Sequence, residues 1–262
     1  MYQAARAPHL IRVARLTIGI PIFFVLALGA TLPLAAQFQT HLNAKTNRAF
    51  DDYSQAAEAK FDGRPRFPTG LKAGAIEIVP TSNTGSVSAQ AGMIHDWTAA
   101  AVVPGANVDK VLALLQNYAG YKNIYSPDVS DSKLLYRDGN LWHIYLRMVK
   151  KNVLTVVLNG EFDVQYRPLG NNRWMVMSRS TRISELEGDR ELPHGIGHGF
   201  LWRTNAYWLI EPRPEGVYLE CRVISLSRDI PFVLSLAVKP FVTSVPRESL
   251  QSTMEATLRA LR

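Results

Sequence analysis

The most regular hydrophobic pattern in the chain lies at its C-terminus. Apolar residues recur there at every third or fourth position, at Leu250, Met254, Leu258 and Leu261. This spacing places them along one face of a helix, while arginine and glutamine residues occupy the other faces. A single helix cannot bury such a face by itself. The pattern therefore predicts a long C-terminal helix that packs against a large apolar surface elsewhere in the chain.

That surface is predicted upstream, where the residues favour strands. Alternating or β-branched segments follow one another, separated by short runs rich in Gly, Asn and Pro. The predicted strands are 94–103, 129–137, 141–150, 153–166, 173–187, 200–211 and 217–227. After the first strand, Asn107 is a good N-cap for a short helix over 108–116, and a Tyr-rich turn follows it. The order predicts a curved antiparallel sheet around the C-terminal helix, with two short helices after the first strand.

The segment 230–245 is apolar on all sides, unlike the amphipathic tail behind it. Such a segment must be covered by protein or must touch lipid. It contains Pro240, which lacks a backbone donor, so we expect a short helix, a break near Pro240 and then the regular helix. Two interpretations stay open. Phe232 and Phe241 either form a gate over a cavity and make transient contact with a membrane, or they belong to the core.

The N-terminal residues predict export. Residues 1–15 carry three arginines and no acidic residue, whereas residues 16–36 are uncharged and mostly apolar. This order is typical of a secretory signal peptide, so we expect a periplasmic or secreted protein that begins near Gln37. The apolar run is also long enough to remain as a membrane anchor, and both outcomes stay open.

Residues 37–92 are interpreted as an N-terminal extension and not as a second domain. A helical pattern over 37–60 is followed by a Pro- and Gly-rich linker, a short strand over 75–79 and a Ser-, Thr- and Gly-rich loop. One helix and one strand are too few to form a hydrophobic core of their own. The remaining chain, residues 93–262, is predicted to be a single α+β domain.

Composition excludes several kinds of site. The formal net charge is +7, but the basic residues are scattered and no nucleic-acid motif is present, so no nucleic-acid partner is expected. The single cysteine, Cys221, excludes an intrachain disulfide and is expected to be a buried apolar residue. The Gly-rich segment 194–198 holds two histidines, too few for zinc, and is predicted to be a loop at the rim of the sheet. No cofactor and no metal is expected.

The order of elements resembles the helix-grip fold of the START-like or Bet v 1-like superfamily, also called the SRPBCC group. The resemblance covers residues 94–262 and includes the strand, Pro-Gly turn and short helix over 97–116, the Tyr-rich turn before Pro127, and Pro-Arg-Glu-Ser-Leu over 246–250. The chain is most similar to uncharacterised exported bacterial members. The resemblance implies about seven antiparallel strands wrapped around the C-terminal helix, with a hydrophobic cavity between them. Some relatives carry lipids or quinones, and others are cyclases or hydrolases.

A set of polar and aromatic residues is predicted to line this cavity. Such residues alternate with apolar ones along strands 141–150 and 200–211, as in apolar cavities with a few polar groups, although a solvated face would show the same pattern. Alternation on strand 173–187 places Arg182 on the face of Val176, where it needs a protein carboxylate or an anionic head group as partner. The candidates are His143, Tyr145, Arg147, Arg182, Trp202, Asn205, Tyr207, Phe232 and Phe241.

The leading hypothesis is a non-enzymatic protein that binds, and by extension transports, a hydrophobic ligand such as a lipid or isoprenoid quinone in the bacterial cell envelope. One alternative is a cavity enzyme of the polyketide cyclase or hydrolase kind, with His143, Glu161 and Asp163 as acid–base groups. Another is an envelope interaction module whose cavity is filled by side chains. No catalytic residue is assigned, because no nucleophile motif or phosphate-binding loop is present.

Overall fold

A computed structural model describes the chain from residue 39 to residue 262, apart from residues 62, 68, 83, 152–154 and 230–234. For residues 235–243 it describes the helical backbone and not the side chains. The predicted signal segment, residues 1–36, and Phe232 lie outside the described residues.

Antiparallel strands form the body of the protein. They are β1 (Thr40–His41), β2 (Ile76–Pro80), β3 (Ser86–Ser88), β4 (Gly92–Pro104), β5 (Val129–Asp138), β6 (Leu141–Lys151), β7 (Thr155–Gly170), β8 (Arg173–Glu187), β9 (Arg190–Glu191), β10 (Ile196–Gly197), β11 (Arg203–Arg213) and β12 (Gly216–Arg228). The main sheet has ten strands in the order β2-β4-β12-β11-β8-β7-β6-β5, with β3 paired to β4 and β9 to β8. Strands β1 and β10 form a separate pair.

The helices are α1 (Ala44–Ala59), α2 (Val108–Gln116), α3 (Tyr121–Ile124) and α4 (Ser235–Leu261), with a 3₁₀ turn over Tyr118–Gly120. The side chain of Asn107 accepts a hydrogen bond from the backbone N–H of Lys110 at 2.8 Å, so the predicted cap of α2 is confirmed. In α1, Asn43 accepts a hydrogen bond from the backbone N–H of Thr46 in the same way. Both caps satisfy a donor that would otherwise have no partner within the helix.

Helix α4 lies against the concave face of the sheet through the predicted apolar stripe. Leu250, Met254, Leu258 and Leu261 are all buried. They belong to the same hydrophobic cluster as Ala99 of β4 and Leu219 of β12. A curved antiparallel sheet that grips a long C-terminal helix is the α+β helix-grip fold, and this prediction is confirmed.

The predicted break near Pro240 is wrong. Helix α4 runs without interruption from Ser235 to Leu261, through Pro240 and Pro246. Pro240 lies in the second turn of α4, so its missing N–H leaves without a partner only one carbonyl of the first turn.

The N-terminal extension packs against the convex face of the sheet, which the sequence did not predict. Phe50 and Ala57 of α1 join a cluster with Met175 of β8 and Leu226 of β12. Beyond α1, Phe67 and other apolar residues of the linker cover a second patch of the same face. Strands β2 and β3 extend the edge beside β4, and β9 pairs with β8, which is why the sheet has ten strands and not about seven.

Of the helices within the described residues, none combines the length and the apolar composition needed to cross a membrane.

Candidate functional site

A cavity of about 540 Å³ lies between the concave face of the sheet and α4. This volume falls within the range of roughly 300–1,000 Å³ that is typical of small-molecule sites. Strands β4, β6, β7, β8, β11 and β12 supply its walls, α4 supplies its cover, and the α2–α3 region closes one end. The walls are mostly apolar, with Ile144, Phe162, Val176, Trp208 and Val223 among them.

One end of the cavity is lined by tyrosines whose hydroxyls bond to the protein. Tyr118 donates to the hydroxyl of Tyr166 at 2.6 Å, and Tyr166 donates to the carbonyl of Leu115 at 2.9 Å. Tyr121 donates to the same carbonyl at 2.6 Å. Burial raises the pKa of all three tyrosines above its ordinary value, so the hydroxyls stay neutral. This aromatic end therefore offers ring surface to a ligand and behaves as an apolar compartment.

Polar side chains lie toward the other end, on neighbouring strands. We call them the polar strip: His95, Ser178, Thr204, Ser225 and Ser227. Ser225 of β12 is the direct cross-strand partner of both His95 on β4 and Thr204 on β11. Because directly opposite residues of antiparallel strands point to the same face, these three side chains form a row across the sheet. The cavity is thus apolar at one end and polar at the other.

His95 is neutral and is bonded at both ring nitrogens. Its Nε2 lies 3.0 Å from Oγ of Ser227, and its Nδ1 lies 2.9 Å from Oγ of Ser86. Ser227 donates to the carbonyl of Arg228 at 3.2 Å, so its oxygen accepts from His95, and Ser86 donates to Nδ1. Burial lowers the pKa of His95 from 6.5 to about 4, because desolvation disfavours the imidazolium.

Charged groups lie at the rim between α4 and the loop before β5. Lys150 pairs with Asp128 across 3.6 Å. Glu255 and Arg259 of α4 also border the cavity, and both are exposed to solvent. The rim is therefore hydrated, while the walls behind it are apolar.

Cys221 lies in the cavity wall as a free, buried thiol, so its prediction as a buried apolar residue is confirmed. Burial raises the pKa of the thiol far above its ordinary value. The thiolate needed for nucleophilic chemistry is consequently disfavoured at this position.

Three predicted site residues on β6 face away from the cavity. Ile144, Leu146 and Met148 line it, so the alternating residues His143, Tyr145 and Arg147 point to the convex side. There Tyr145 and Arg147 both donate to Oδ1 of Asn159, at 2.7 and 2.9 Å. His143 Nδ1 lies 2.6 Å from Oδ1 of Asp163. Their assignment to the cavity lining is corrected: they belong to a polar network on the opposite face.

Arg182 also lies on the convex side, because β8 carries a bulge. Glu161 pairs with Arg182 but the next residue, Phe162, pairs with Ser180, so Thr181 is the extra residue. A bulge of one residue reverses the alternation that follows it, which moves Arg182 off the face of Val176. Arg182 pairs there with Glu161 at 3.0 Å and with Glu191, and its side chain is 39% exposed.

Three further candidates, Trp202, Asn205 and Tyr207, do not line the cavity either. Trp202 and Tyr207 belong to the cluster beneath α1. Asn205 donates to the hydroxyl of Tyr207 at 3.1 Å, and that hydroxyl donates to Glu58 of α1 at 2.7 Å. The side chain of Phe241 is outside the described part of the structure, as is Phe232, so the gate stays a prediction.

The two histidines of the Gly-rich segment make separate contacts. His194 Nδ1 lies 2.8 Å from the carbonyl oxygen of Ile183. His198 Nδ1 lies 3.1 Å from Glu185, whose carboxylate also accepts hydrogen bonds from the backbone N–H groups of His198 and Phe200. Among the residues that the structure describes, no group of three or more His, Cys, Asp or Glu side chains could hold a metal ion.

Sequence reasoning missed the residues that do line the cavity. On β11 they are Thr204, Ala206 and Trp208, and on β12 they include Cys221 and Ser225. The available signal was the run of small and hydroxylated residues at alternate positions of these two strands, which leaves space that large side chains would fill.

Comparison with known proteins gives structural similarity only. No protein-family model matches the chain, and no curated protein matches it. A STAR-related lipid transfer protein from Xanthomonas axonopodis is similar over 66% of this chain and 98% of its own, at 18% identity and a TM-score of 0.42. Human STARD10 is similar over 69% and 76%, at 11% identity and a TM-score of 0.42. The Zhui aromatase/cyclase from Streptomyces sp. R1128 is similar over 71% and 92%, at 12% identity and a TM-score of 0.41. At these identities and TM-scores, none of the three says what this chain binds.

Proposed function

We propose that this protein binds a hydrophobic ligand, such as a lipid or an isoprenoid quinone, in the cavity between the sheet and α4. The observation that carries the proposal is the cavity itself, with about 540 Å³ of space. Its aromatic end is apolar because the hydroxyls of Tyr118, Tyr121 and Tyr166 are bonded to the protein. A hydrophobic ligand that moves from water into this space gains free energy, and it breaks none of these hydrogen bonds.

The expected affinity follows from the apolar surface that the ligand buries. Each buried methylene contributes about 0.8 kcal/mol, so a chain of ten methylenes gains roughly 8 kcal/mol. The loss of translational and rotational freedom offsets at least about 4 kcal/mol of this gain. Saturated chains of this length are therefore expected to bind with a dissociation constant of about 1 mM or weaker, and longer chains more tightly.

The geometry favours binding over the cyclase or hydrolase alternative. His143, Glu161 and Asp163, the acid–base candidates, lie on the convex face. The cavity thiol, Cys221, is held protonated by burial. Inside the cavity, both ring nitrogens of His95 form hydrogen bonds with serine hydroxyls, so neither nitrogen is available to a substrate. An acid or base that touches a bound substrate would have to come from the rim, where Asp128, Lys150 and Glu255 lie.

We place this function in the bacterial cell envelope, and transfer of the ligand between membranes is part of the proposal. Support for the location comes from residues 1–36, whose basic, apolar and small-residue regions are typical of a secretory signal. Support for transfer comes from segment 230–245, whose apolar character suits contact with lipid.

Protein purified from its own envelope fraction is expected to carry a ligand. Native mass spectrometry should show a species heavier than the polypeptide by the mass of one lipid- or quinone-sized molecule, and denaturation should release it. The same spectrum reports the N-terminus, which is expected near Gln37. A polypeptide with an empty cavity under conditions that retain known lipid–protein complexes would contradict the proposal.

Filling the cavity should abolish binding without unfolding the protein. Ala206 lies in the wall on β11, between the cross-strand partners Ser178 and Val223, so Ala206→Phe projects a ring into the space. The affinity for an apolar dye such as Nile red should fall at least roughly tenfold, with little change in the thermal unfolding midpoint. Ala206→Ser, which adds a single oxygen, is the matched control. Equal dye binding by both variants would place the ligand elsewhere.

A further inference from the structure

We propose that the cavity selects amphiphiles whose polar end is an uncharged oxygen group, such as an ester, ketone or quinone carbonyl or a hydroxyl, and that Thr204 and Ser225 bind this group. The inference rests on the proposed function and names the class of ligand. It predicts that the apolar body of the ligand lies at the aromatic end and that its polar end lies at the polar strip.

The first support is that these two hydroxyls are available. Neither Oγ1 of Thr204 nor Oγ of Ser225 makes a side-chain hydrogen bond within the described part of the chain, although both side chains line the cavity. Ser225 is only 6% exposed. Because both hydroxyls open into a cavity with mostly apolar walls, a hydrogen bond from them to a ligand oxygen is stronger than the same contact in water.

The second support is the placement of the two hydroxyls. Thr204 and Ser225 are direct cross-strand partners, which puts their Cβ atoms about 5 Å apart on the same face of the sheet. A carbonyl oxygen has two lone pairs and can accept from both hydroxyls at once. A ligand hydroxyl can donate to one and accept from the other. The pair therefore fits a single oxygen atom between two strands.

The third support is that, among the residues that the structure describes, those lining the cavity around the pair are uncharged. The cavity-lining residues from β4, β8, β11 and β12 are apolar, hydroxylated or, in His95, a neutral imidazole. The charged residues that line the cavity all lie at its rim; they are Asp128, Lys150, Glu255 and Arg259. A carboxylate or ammonium placed between Thr204 and Ser225 would lose its hydration without gaining a counter-charge from these strands.

A set of three probes with similar chain lengths tests the inference. Methyl decanoate has a neutral carbonyl, decanoate is ionised at pH 8, and undecane has no oxygen. Each is titrated against Nile red bound to the wild-type protein and to Thr204→Val/Ser225→Ala. The double variant removes both hydroxyls and keeps nearly the same side-chain volume. Ser252→Ala, which removes a cavity-lining hydroxyl of α4 instead, is the control.

The wild-type protein is expected to bind methyl decanoate at least roughly tenfold more tightly than decanoate, because the carboxylate would lose its hydration without gaining a counter-charge. The double variant should lose roughly tenfold in affinity for methyl decanoate and none for undecane, and Ser252→Ala should behave as the wild type. Tighter binding of decanoate, or an unchanged ester affinity in the double variant, overturns the inference and leaves the proposed function standing. Failure of all three probes and of Nile red to bind the wild type overturns both.

Discussion

Replacing Asp96 with Asn is expected to lower the free energy of unfolding by about 3–5 kcal/mol. Asp96 of β4 is completely buried. Its two oxygens accept hydrogen bonds from Nε and Nη2 of Arg222 at 2.9 and 2.6 Å, and Tyr53 of α1 donates to it at 2.8 Å. Asparagine keeps the shape of the side chain but removes its charge. The largely buried guanidinium of Arg222 would then lose the counter-charge to which it is hydrogen-bonded, which is the main cost of breaking a buried pair.

A more exposed pair on the same face provides the control. Arg182 and Glu161 are 39% and 29% exposed, so solvent screens their attraction, and Glu161→Gln should cost about 1 kcal/mol or less. Urea unfolding of both variants measures the difference. Adding Arg222→Met to Asp96→Asn should recover part of the loss, because it removes the unpaired charge. Equal costs for Asp96→Asn and Glu161→Gln would show that the Asp96 pair is hydrated.

The buried arginine was expected at Arg182 and is found at Arg222. The error has a local cause, since the bulge at Thr181 reverses the face on which Arg182 lies. A bulge leaves no clear mark in a single sequence, because one additional residue in a strand does not change its composition. An alternation argument is therefore reliable only up to the first bulge of a strand.

The elements themselves were well predicted where their patterns were strong. The bounds of helix 108–116 and strand 173–187 agree with the structure. The position of α1 over the convex face was not predicted, and it explains the mistakes about the site. Because α1 and the linker bury that face, both faces of the central strands carry apolar residues, as Val217 and Tyr218 of β12 do. Alternation then identifies two faces without indicating which one meets α4.

The same ambiguity made aromatic and charged residues look like cavity residues. Tyr207 and Asn205 are polar groups in a buried strand, and they bond to Glu58 of α1 and to each other. The residues that line the cavity are smaller, such as Ala206 and Ser225, and small residues carry little signal in a sequence. A cavity is the space that packed helices and strands leave between them. The residues that line it can therefore be identified only once the packing of α4 and α1 is known.

Protein stability is expected to fall as the pH is lowered from about 6.5 to about 4, and His95 should supply about 3 kcal/mol of this loss. Burial holds the pKa of His95 at about 4 in the folded protein, whereas an unfolded chain titrates near 6.5. Between these values the unfolded state binds a proton that the folded state does not bind, so acid favours unfolding. Above about pH 6.5 the imidazole is neutral in both states and the stabilisation is complete.

The variant His95→Gln isolates this contribution. Glutamine does not titrate, and its amide can donate to Ser227 and accept from Ser86 as the neutral imidazole does. Carboxylates that titrate below pH 5 affect both proteins alike, so the difference in unfolding free energy between wild type and variant reports His95. This difference, measured by urea unfolding at several pH values, should shift by about 3 kcal/mol in favour of the variant between pH 7 and pH 4. Parallel stability curves would mean that the ring of His95 is hydrated in the folded protein and that the polar strip is open to water.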